Sequence, residues 1–137
     1  MADKFFEEYE QKLLSCEPLP WQKLETLPHI NGVYMIWTDW HQDGGEFVYI
    51  GESKNLYDRF YRHHNTGNNS SFRDRLQKDI QATDELPQDV IIDFYLGDCF
   101  IKYVELPYGR KELEEYLIKK YNPRYNRQGK LKCKSKV

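Results

Sequence analysis

The chain has 137 residues, with 20 lysines and arginines against 22 aspartates and glutamates and a formal net charge of −2 at pH 7. This length supports one hydrophobic core and is too short for two, so it predicts a single compact domain with tails. The nearly neutral charge excludes the uniformly basic composition that is typical of many nucleic-acid-binding domains.

Charge is nevertheless distributed unevenly along the chain. Residues 1–27 contain six acids and three lysines, whereas residues 119–137 contain eight bases and no acid. The basic end is suited to docking a polyanion, and a solvated basic tail is the alternative interpretation.

Cysteine usage and hydropathy indicate the compartment. The three cysteines, Cys16, Cys99 and Cys133, are odd in number and lack C-x-x-C spacing, so neither a disulfide framework nor a structural zinc site is predicted. No apolar run approaches the roughly 20 residues of a membrane span, and the first ten residues do not resemble a signal peptide. We expect a soluble, cytoplasmic protein with no membrane partner, and nothing indicates a homo-oligomer.

The first part of the chain predicts a helix followed by a β-hairpin. Aromatic residues and leucines recur at helical spacing over residues 3–15, which predicts an amphipathic helix. Prolines limit the stretch around Trp21 to a helical turn. Residues 33–37 and 47–50 have strand composition and are separated by Asp43-Gly44-Gly45, which predicts a hairpin with a long loop.

A helix is predicted directly after this hairpin. Gly51 is expected to end the second strand, and Ser53 is placed to cap a helix that begins at Lys54. Polar residues 65–69 predict a loop, and a second helix is expected over residues 71–81.

The last third of the chain predicts two strands and a helix. Residues 90–95 and 100–105 are rich in strand formers around Gly97-Asp98, which predicts a second hairpin. The final helix is predicted over residues 110–121, because Asn122-Pro123 cannot continue it.

One carboxylate of the final helix is predicted to face the core. At 100° per residue Glu114 falls in the apolar sector of Leu113 and Leu117, while Glu112 and Glu115 lie on the opposite side. An ionised carboxylate in that position needs a cation or several donors. A metal ligand and a buried Glu/Arg pair are the two interpretations.

A cation and an imidazole are predicted to lie together on the helix after Ser53. Arg59 and His63 are one turn apart at the edge of the face that Leu56 and Phe60 bury. Arginine can hold two phosphate oxygens at once, and histidine moves protons near neutral pH. A salt bridge at the rim is the alternative for Arg59.

Two tyrosines of the first hairpin are candidates for the same site. Tyr34 and Tyr49 lie on its two strands, and Tyr49 is two residues before Gly51, so its hydroxyl can reach the pocket that Arg59 faces. Core packing with a bonded hydroxyl is the alternative role for each tyrosine. Gly51 has an alternative role without any function in a site, which is to permit a bend in the backbone.

Six short elements follow one another in a fixed order along residues 27–126. They are Gly32-Val33-Tyr34, Tyr49-Ile50-Gly51, Asn55-Leu56, Arg59, Glu114 and Pro123-Arg124-Tyr125-Asn126. In this order they resemble the signature of the GIY-YIG nucleases, in which the first two are the signature tripeptides. Several matched elements in order are far more specific than any one of them.

The resemblance implies a fold and a set of domain limits. The fold is α+β, with a small central antiparallel sheet of three or more strands flanked by helices in the order β-β-α-α-β-α, preceded here by an extra N-terminal helix. It divides the chain into a lead-in at residues 1–28, a nuclease domain at 29–127 and a basic tail at 128–137.

The resemblance also implies the activity, a divalent-metal-dependent endodeoxyribonuclease that hydrolyses DNA phosphodiester bonds. Glu114 would hold one divalent cation, Mg²⁺ or Mn²⁺, and Arg59 would steady the scissile phosphate. Tyr34 and Tyr49 would position or deprotonate the attacking water, and Asn126 would brace the site.

Two residues modify this expectation. His63 resembles the arrangement in the homing and restriction branches and is expected to assist as a base. Glu52 stands where some branches carry lysine, so a route that uses that lysine as the base is excluded. The alternative function is a catalytically silent nucleic-acid-binding module of the same fold, and the group that takes the proton stays open.

Overall fold

The computed structural model describes residues 2–40, 44–64, 72–81 and 88–126. The fold is α+β, with a four-stranded antiparallel sheet flanked by helices, as predicted. None of the helices in these residues is long and apolar enough to span a membrane. In chain order the elements are α1 (Ala2–Ser15), β1 (Leu19–Pro20), a 3₁₀ helix (Trp21–Thr26), β2 (Gly32–Thr38), β3 (Glu46–Ser53), α2 (Leu56–Asp58), a π-helix (Arg59–His64), α3 (Phe72–Gln81), α4 (Gln88–Leu96), β4 (Phe100–Glu105), α5 (Arg110–Tyr121) and a 3₁₀ turn (Arg124–Asn126).

The sheet has the strand order β1-β4-β2-β3, and β2 pairs antiparallel with both β3 and β4. Side chains on a strand alternate between faces, so Tyr34 and Ile36 of β2 pack into one cluster and Val33 and Met35 into the other. All four are fully buried because helices cover both faces of this central strand. The predicted first hairpin is confirmed.

Two helical layers bury the two faces of the sheet. Leu13 of α1 and Leu113 and Leu117 of α5 pack with one face, while Phe60 of the π-helix and Phe72 of α3 pack with the other. Each of these side chains is fully buried and contributes about 1.5–3 kcal/mol of hydrophobic free energy. Tyr34 and Tyr49 lie on the Phe60 side of the sheet, whereas Glu114 belongs to α5 in the other layer.

The strand predicted over residues 90–95 is wrong, because these residues belong to helix α4. Ile91 and Ile92 are both buried, and Asp93 and Phe94 are both exposed, which is a helical pattern rather than the alternation of a strand. β4 already pairs with β1 and β2, so no place beside it remains for a second hairpin. Packing of Ile92 and Leu96, one turn apart, overrides the strand preference of the isoleucines.

The junction after β3 also differs from the prediction. The strand does not end at Gly51 but continues to Ser53, and the next helix begins at Leu56 with Asn55 as its N-cap. The Asn55 Oδ1 atom accepts a hydrogen bond from the Asp58 amide at 3.1 Å. Ser53 Oγ instead accepts from the Asn55 amide at 3.0 Å, so it orders the turn before the cap.

Three other helices lie where the sequence predicts them. The helices predicted over residues 3–15, 71–81 and 110–121 are present as α1, α3 and α5 within one residue at each end. The loop predicted at residues 65–69 lies outside the described residues.

A buried carboxylate fastens α1 to α5. Only 3% of Glu10 is exposed. Its carboxylate accepts hydrogen bonds from the Tyr116 hydroxyl at 3.1 Å and the Tyr121 hydroxyl at 2.5 Å, and Lys120 Nζ lies 2.8 Å away. Burial by itself raises the pKa of Glu10, but Lys120, Tyr121 and Tyr116 outweigh it and hold the pKa below its ordinary value.

We predict that Glu10→Gln lowers the free energy of unfolding by about 1.5–3 kcal/mol, because three donors lose a charged acceptor. Glu8→Gln is the control, since its pair with Lys12 is exposed and contributes less than about 1 kcal/mol. Denaturant unfolding measures both. A carboxyl with a lowered pKa stabilises the fold above its ordinary pKa of 4.5 and loses that effect as the pH falls, so the Glu10 difference should shrink in acid. Equal losses for the two variants would contradict the prediction.

Candidate active site

Adjacent strands bring the two candidate tyrosines together. Tyr34 on β2 pairs with Gly51, and Tyr49 on β3 pairs with Ile36, so both side chains project from the same face of the sheet. Their rings stack with centroids 6.3 Å apart and an angle of 22° between the planes. Tyr34 is fully buried, and 5% of Tyr49 is exposed. The hairpin thus places both rings side by side.

Gly51 is needed for contact with Tyr34 rather than for a bend. It lies inside β3, and its φ is not among the positive values of the chain. A Cβ atom at this position would lie 2.3 Å from the Tyr34 hydroxyl oxygen and 2.5 Å from the adjoining ring carbon. Any larger residue would therefore push Tyr34 out of place.

Arg59 lies beside the tyrosine hydroxyls. It begins the π-helix and is half-buried, and its Nε donates to the Tyr34 hydroxyl over 3.5 Å. Burial by itself lowers the pKa of Arg59, but the hydroxyls of Tyr34 and Tyr49 together raise it above its ordinary value. The guanidinium is therefore always charged, which is required of a group that binds phosphate.

Burial makes the Tyr34 hydroxyl a poor base. The pKa of Tyr34 is raised well above its ordinary value, first by burial and then by Tyr49, and Arg59 only partly opposes this. At neutral pH Tyr34 keeps its proton, so it can donate a hydrogen bond to a substrate oxygen or an attacking water.

Glu114 is half-buried on α5, as the helical pattern predicted, while Glu112 and Glu115 are exposed. Its pKa is raised to about 7, first by burial and then by the charges of Glu52 and Glu115, whereas Arg59 and Lys111 lower it. Within the described part of the chain its carboxylate makes no hydrogen bond or ion pair. The buried Glu/Arg pair, one of the two interpretations of Glu114, is therefore not formed among these residues.

These residues fit a hard divalent cation. Glu114 is destabilised by burial and by negative neighbours, and a cation would relieve both effects. The described residues contain no cluster of three or more histidines, cysteines, aspartates or glutamates that could hold a metal ion. A cation bound here would therefore take most of its ligands from water and substrate, which suits Mg²⁺.

Asn126 reaches the strand that carries Tyr49 from the far end of the chain. Its Oδ1 accepts from the Ile50 amide at 2.6 Å, and its Nδ2 donates to the Ile50 carbonyl at 2.8 Å. Ile50 lies between Tyr49 and Gly51, so these two hydrogen bonds fix the backbone directly at the site. The role of Asn126 in bracing a catalytic site stays a prediction.

Arg75 also supports this region, although no motif in the sequence points to it. Its guanidinium lies 5.7 Å from the centre of the Tyr49 ring, and its Nη1 donates to the Tyr125 carbonyl at 2.5 Å. Tyr125 is buried, and its hydroxyl donates to Asp79 at 2.6 Å. Helix α3 thus holds both Tyr49 and the turn that carries Asn126. An arginine in a helix with no partner nearby in sequence carries no signal of such a role.

His63 is assigned to the site by sequence alone. Its backbone lies in the π-helix that begins at Arg59, and its side chain lies outside the described residues. Among the described residues, the structure brings together Tyr34, Tyr49, Arg59 and Gly51. Glu114 interacts electrostatically with Arg59 of this group.

Comparison with known proteins identifies the family to which the chain belongs. The family model described as the GIY-YIG catalytic domain matches residues 30–126, more than two thirds of the chain. The chain therefore belongs to the GIY-YIG catalytic domain family.

Two relatives are both described as UvrABC system protein C. The one from Carboxydothermus hydrogenoformans is 30% identical over 107 residues, covering 77% of this chain and 14% of the relative. The one from Mycoplasma pneumoniae is 33% identical over 106 residues, covering 76% of this chain and 14% of the relative. The chain thus spans about one seventh of the length of the curated relatives it matches.

Solved structures of the GIY-YIG N-terminal endonuclease domain of UvrC from Thermotoga maritima are also similar. A point mutant bound to its catalytic divalent cation has a TM-score of 0.47 and 24% identity, covering 76% of this chain and 90% of that chain. The magnesium-bound domain has a TM-score of 0.43 and 21% identity, covering 76% and 91%.

We predict that Gly51→Ala lowers the free energy of unfolding by about 1–3 kcal/mol, because the new methyl group overlaps the Tyr34 ring. Gly97→Ala is the control, since a Cβ there would first meet the flexible end of Gln22 at 3.2 Å. Thermal or denaturant unfolding compares the two variants. A Gly51→Ala chain as stable as the Gly97→Ala chain would show that Tyr34 does not need the glycine.

We predict that Glu114→Gln stabilises the chain at pH 8 without divalent cations, by about 2 kcal/mol after allowance for partial exposure. A carboxyl with a raised pKa stabilises the fold while protonated and loses that effect as the pH rises through about 7. The gain should therefore vanish near pH 4.5, and saturating Mg²⁺ should reverse it by stabilising only the wild type. A variant less stable than wild type at pH 8 would contradict this prediction.

Proposed function

We propose that the chain is a divalent-metal-dependent endonuclease that hydrolyses DNA phosphodiester bonds. The observation that carries the proposal is an always-charged Arg59 beside two tyrosine hydroxyls, near a half-buried Glu114 carboxylate that lacks a partner among the described residues. Membership of a family of catalytic domains supports an enzyme over a silent binding module.

Each side chain has a distinct part in this proposal. Arg59 binds two oxygens of the scissile phosphate and neutralises the charge that grows as water attacks phosphorus. Tyr34, which keeps its proton, donates a hydrogen bond that orients the water or a phosphate oxygen. Glu114 would hold Mg²⁺ or Mn²⁺, and this cation, when bound, would stabilise the leaving oxygen.

Proton transfer accompanies the exchange of bonds at phosphorus. The water oxygen bonds to phosphorus, and a base takes the proton that the water loses. One ester P–O bond breaks, and its oxygen leaves with the bonding electron pair and takes a proton from solvent. Tyr34 keeps its proton, so we assign the role of that base to Tyr49, with His63 as its assistant. The Tyr49 ring is held for this task by its contacts with the Arg75 guanidinium and the Tyr34 ring.

The backbone around Tyr49 is fixed by residues remote in sequence. Asn126 holds Ile50 through two hydrogen bonds, so the strand cannot shift relative to Arg59 during attack. An error of one ångström in such a site can lower a rate by about a hundredfold. We therefore assign Asn126 and Arg75 to positioning, since neither is placed to exchange protons with the substrate.

We predict that wild-type chain nicks supercoiled plasmid with Mg²⁺ or Mn²⁺ and that Glu114→Gln and Arg59→Met each lower the rate by at least about a hundredfold. Glu25→Gln and Arg73→Met are matched controls, because Glu25 is exposed and is not among the charges that act on Glu114, and Arg73 pairs with Asp93 of α4. Gel analysis of plasmid, with and without a chelator, measures the rate.

Calorimetric titration with Mn²⁺ gives a second measurement that does not depend on cutting. Glu114→Gln should abolish the Mn²⁺ binding seen with wild type, whereas Arg59→Met should retain it. If no divalent cation supports cutting and all chains shift DNA equally in a gel, the alternative function, a catalytically silent nucleic-acid-binding module, is correct.

A further inference from the structure

A cleft of about 310 Å³ lies between the end of β3 and the beginning of α5. It is lined by Glu52 and Lys54 on one side and by residues 107–112 on the other. It adjoins the candidate active site, because the charges of both Glu52 and Lys111 act on Glu114. Lys111 also lies one turn before Glu114 on the same helix, so both side chains lie on one side of α5.

An exposed aromatic ring stands at the edge of this cleft. Tyr108 is 84% exposed, the largest value among the exposed large hydrophobic side chains of the described residues. It lies between Pro107 and Gly109, whose φ of 82° is a conformation that favours glycine. A Cβ at Gly109 would lie 3.3 Å from the Phe5 ring, so the segment is packed against α1. The ring is therefore presented to solvent by a fixed piece of backbone.

Two cationic side chains of the cleft, Lys54 and Lys111, are available to bind a ligand. Arg110 is paired with Glu52 at 3.1 Å, and both side chains are largely buried. Lys54 and Lys111 are exposed, and neither forms an ion pair with another described residue. Glu112 adds one negative charge, so the lining as a whole carries a net charge of +1. An aromatic face next to two unpaired lysines is the chemistry that binds a nucleotide.

We propose that this cleft, the Tyr108 cleft, seats an unpaired nucleotide of the DNA substrate next to the scissile phosphate. The base stacks on Tyr108, and the backbone phosphate lies against Lys54 and Lys111. In a duplex the faces of the bases are covered by their neighbours, so stacking on Tyr108 needs a base that is not paired. The preferred substrate is therefore a single strand, a flap or a bubble, and this inference rests on the proposed function.

Binding to defined DNA tests the cleft separately from catalysis. The parent is the 137-residue chain with Glu114→Gln, without divalent cations, so no cutting occurs, and fluorescence anisotropy measures its dissociation constants. The probes are 20-nucleotide DNAs in the form of a single strand, a duplex and a duplex with a central bubble. Adding Tyr108→Ala should weaken binding of the single strand and the bubble by about 5- to 150-fold and change duplex binding by less than about 2-fold.

Variants of matched exposure provide the controls. Phe94→Ala removes another exposed ring, on α4, and should leave all three dissociation constants unchanged. Tyr108→Phe keeps the ring and should bind as the parent does. Lys54→Ala and Lys111→Ala should each reduce the salt dependence of single-strand binding by about 0.7 in log–log slope, whereas exposed Lys23→Ala should not. Because Tyr108 is so exposed, its removal should not change the unfolding curve.

The possible outcomes separate this inference from the proposed function. If Tyr108→Ala binds all three DNAs as the parent does while wild type cuts DNA in a Glu114-dependent way, the proposal that the Tyr108 cleft binds a nucleotide is wrong and the proposed endonuclease activity is correct. If wild type cuts no DNA but Tyr108→Ala still loses single-strand and bubble binding, the cleft stands as a nucleotide site and the catalytic proposal fails. Equal loss on all three DNAs would overturn the preference for unpaired bases.

Discussion

The contact between the Tyr34 ring and Gly51 is the constraint on which the candidate site depends. Two adjacent strands place these residues opposite each other, and the missing side chain of glycine lets a whole phenol lie over the neighbouring backbone. That close approach brings the Tyr34 hydroxyl under Arg59 and leaves the Tyr49 ring stacked beside it. The register of one hairpin therefore decides how the two tyrosines and Gly51 lie, and a one-residue slip of β3 along β2 would move the Tyr49 ring to the opposite face and place another residue against Tyr34.

The rest of the fold keeps that hairpin and Glu114 in a fixed relation. Helix α3 contributes Arg75 against the Tyr49 ring, and the last turn contributes Asn126 against Ile50. On the other face of the sheet, α1 and α5 are joined through Glu10, which keeps the helix that carries Glu114 packed on β3. The functional groups come from distant parts of the sequence, and they lie close together because both helical layers pack against β3.

The sequence predicted those parts of the structure whose signal is local. The first hairpin has strand composition on both sides of a glycine turn, and the period of α5 placed Glu114 toward the core. The prediction failed for residues 90–95, because a run of isoleucines suits a buried helix as well as a strand and only the completed sheet decides between them. Arg75 was not foreseen, because its partners Tyr49 and Tyr125 are brought to it only by folding. The contact of Gly51 with Tyr34 was not foreseen either, because a close contact across a strand pair leaves no trace in local sequence.

The two hydrogen bonds of Asn126 have a consequence for solubility. β3 is the outer strand of the sheet, and the free peptide groups of such a strand can recruit a strand from another molecule. At Ile50 the carboxamide of Asn126 imitates one peptide unit of a neighbouring strand and occupies both the donor and the acceptor. The peptide groups of Ile50 are therefore not available to a strand of a second chain. Asn126, which holds the backbone next to Tyr49, thus also disfavours edge-to-edge pairing at this point of the sheet.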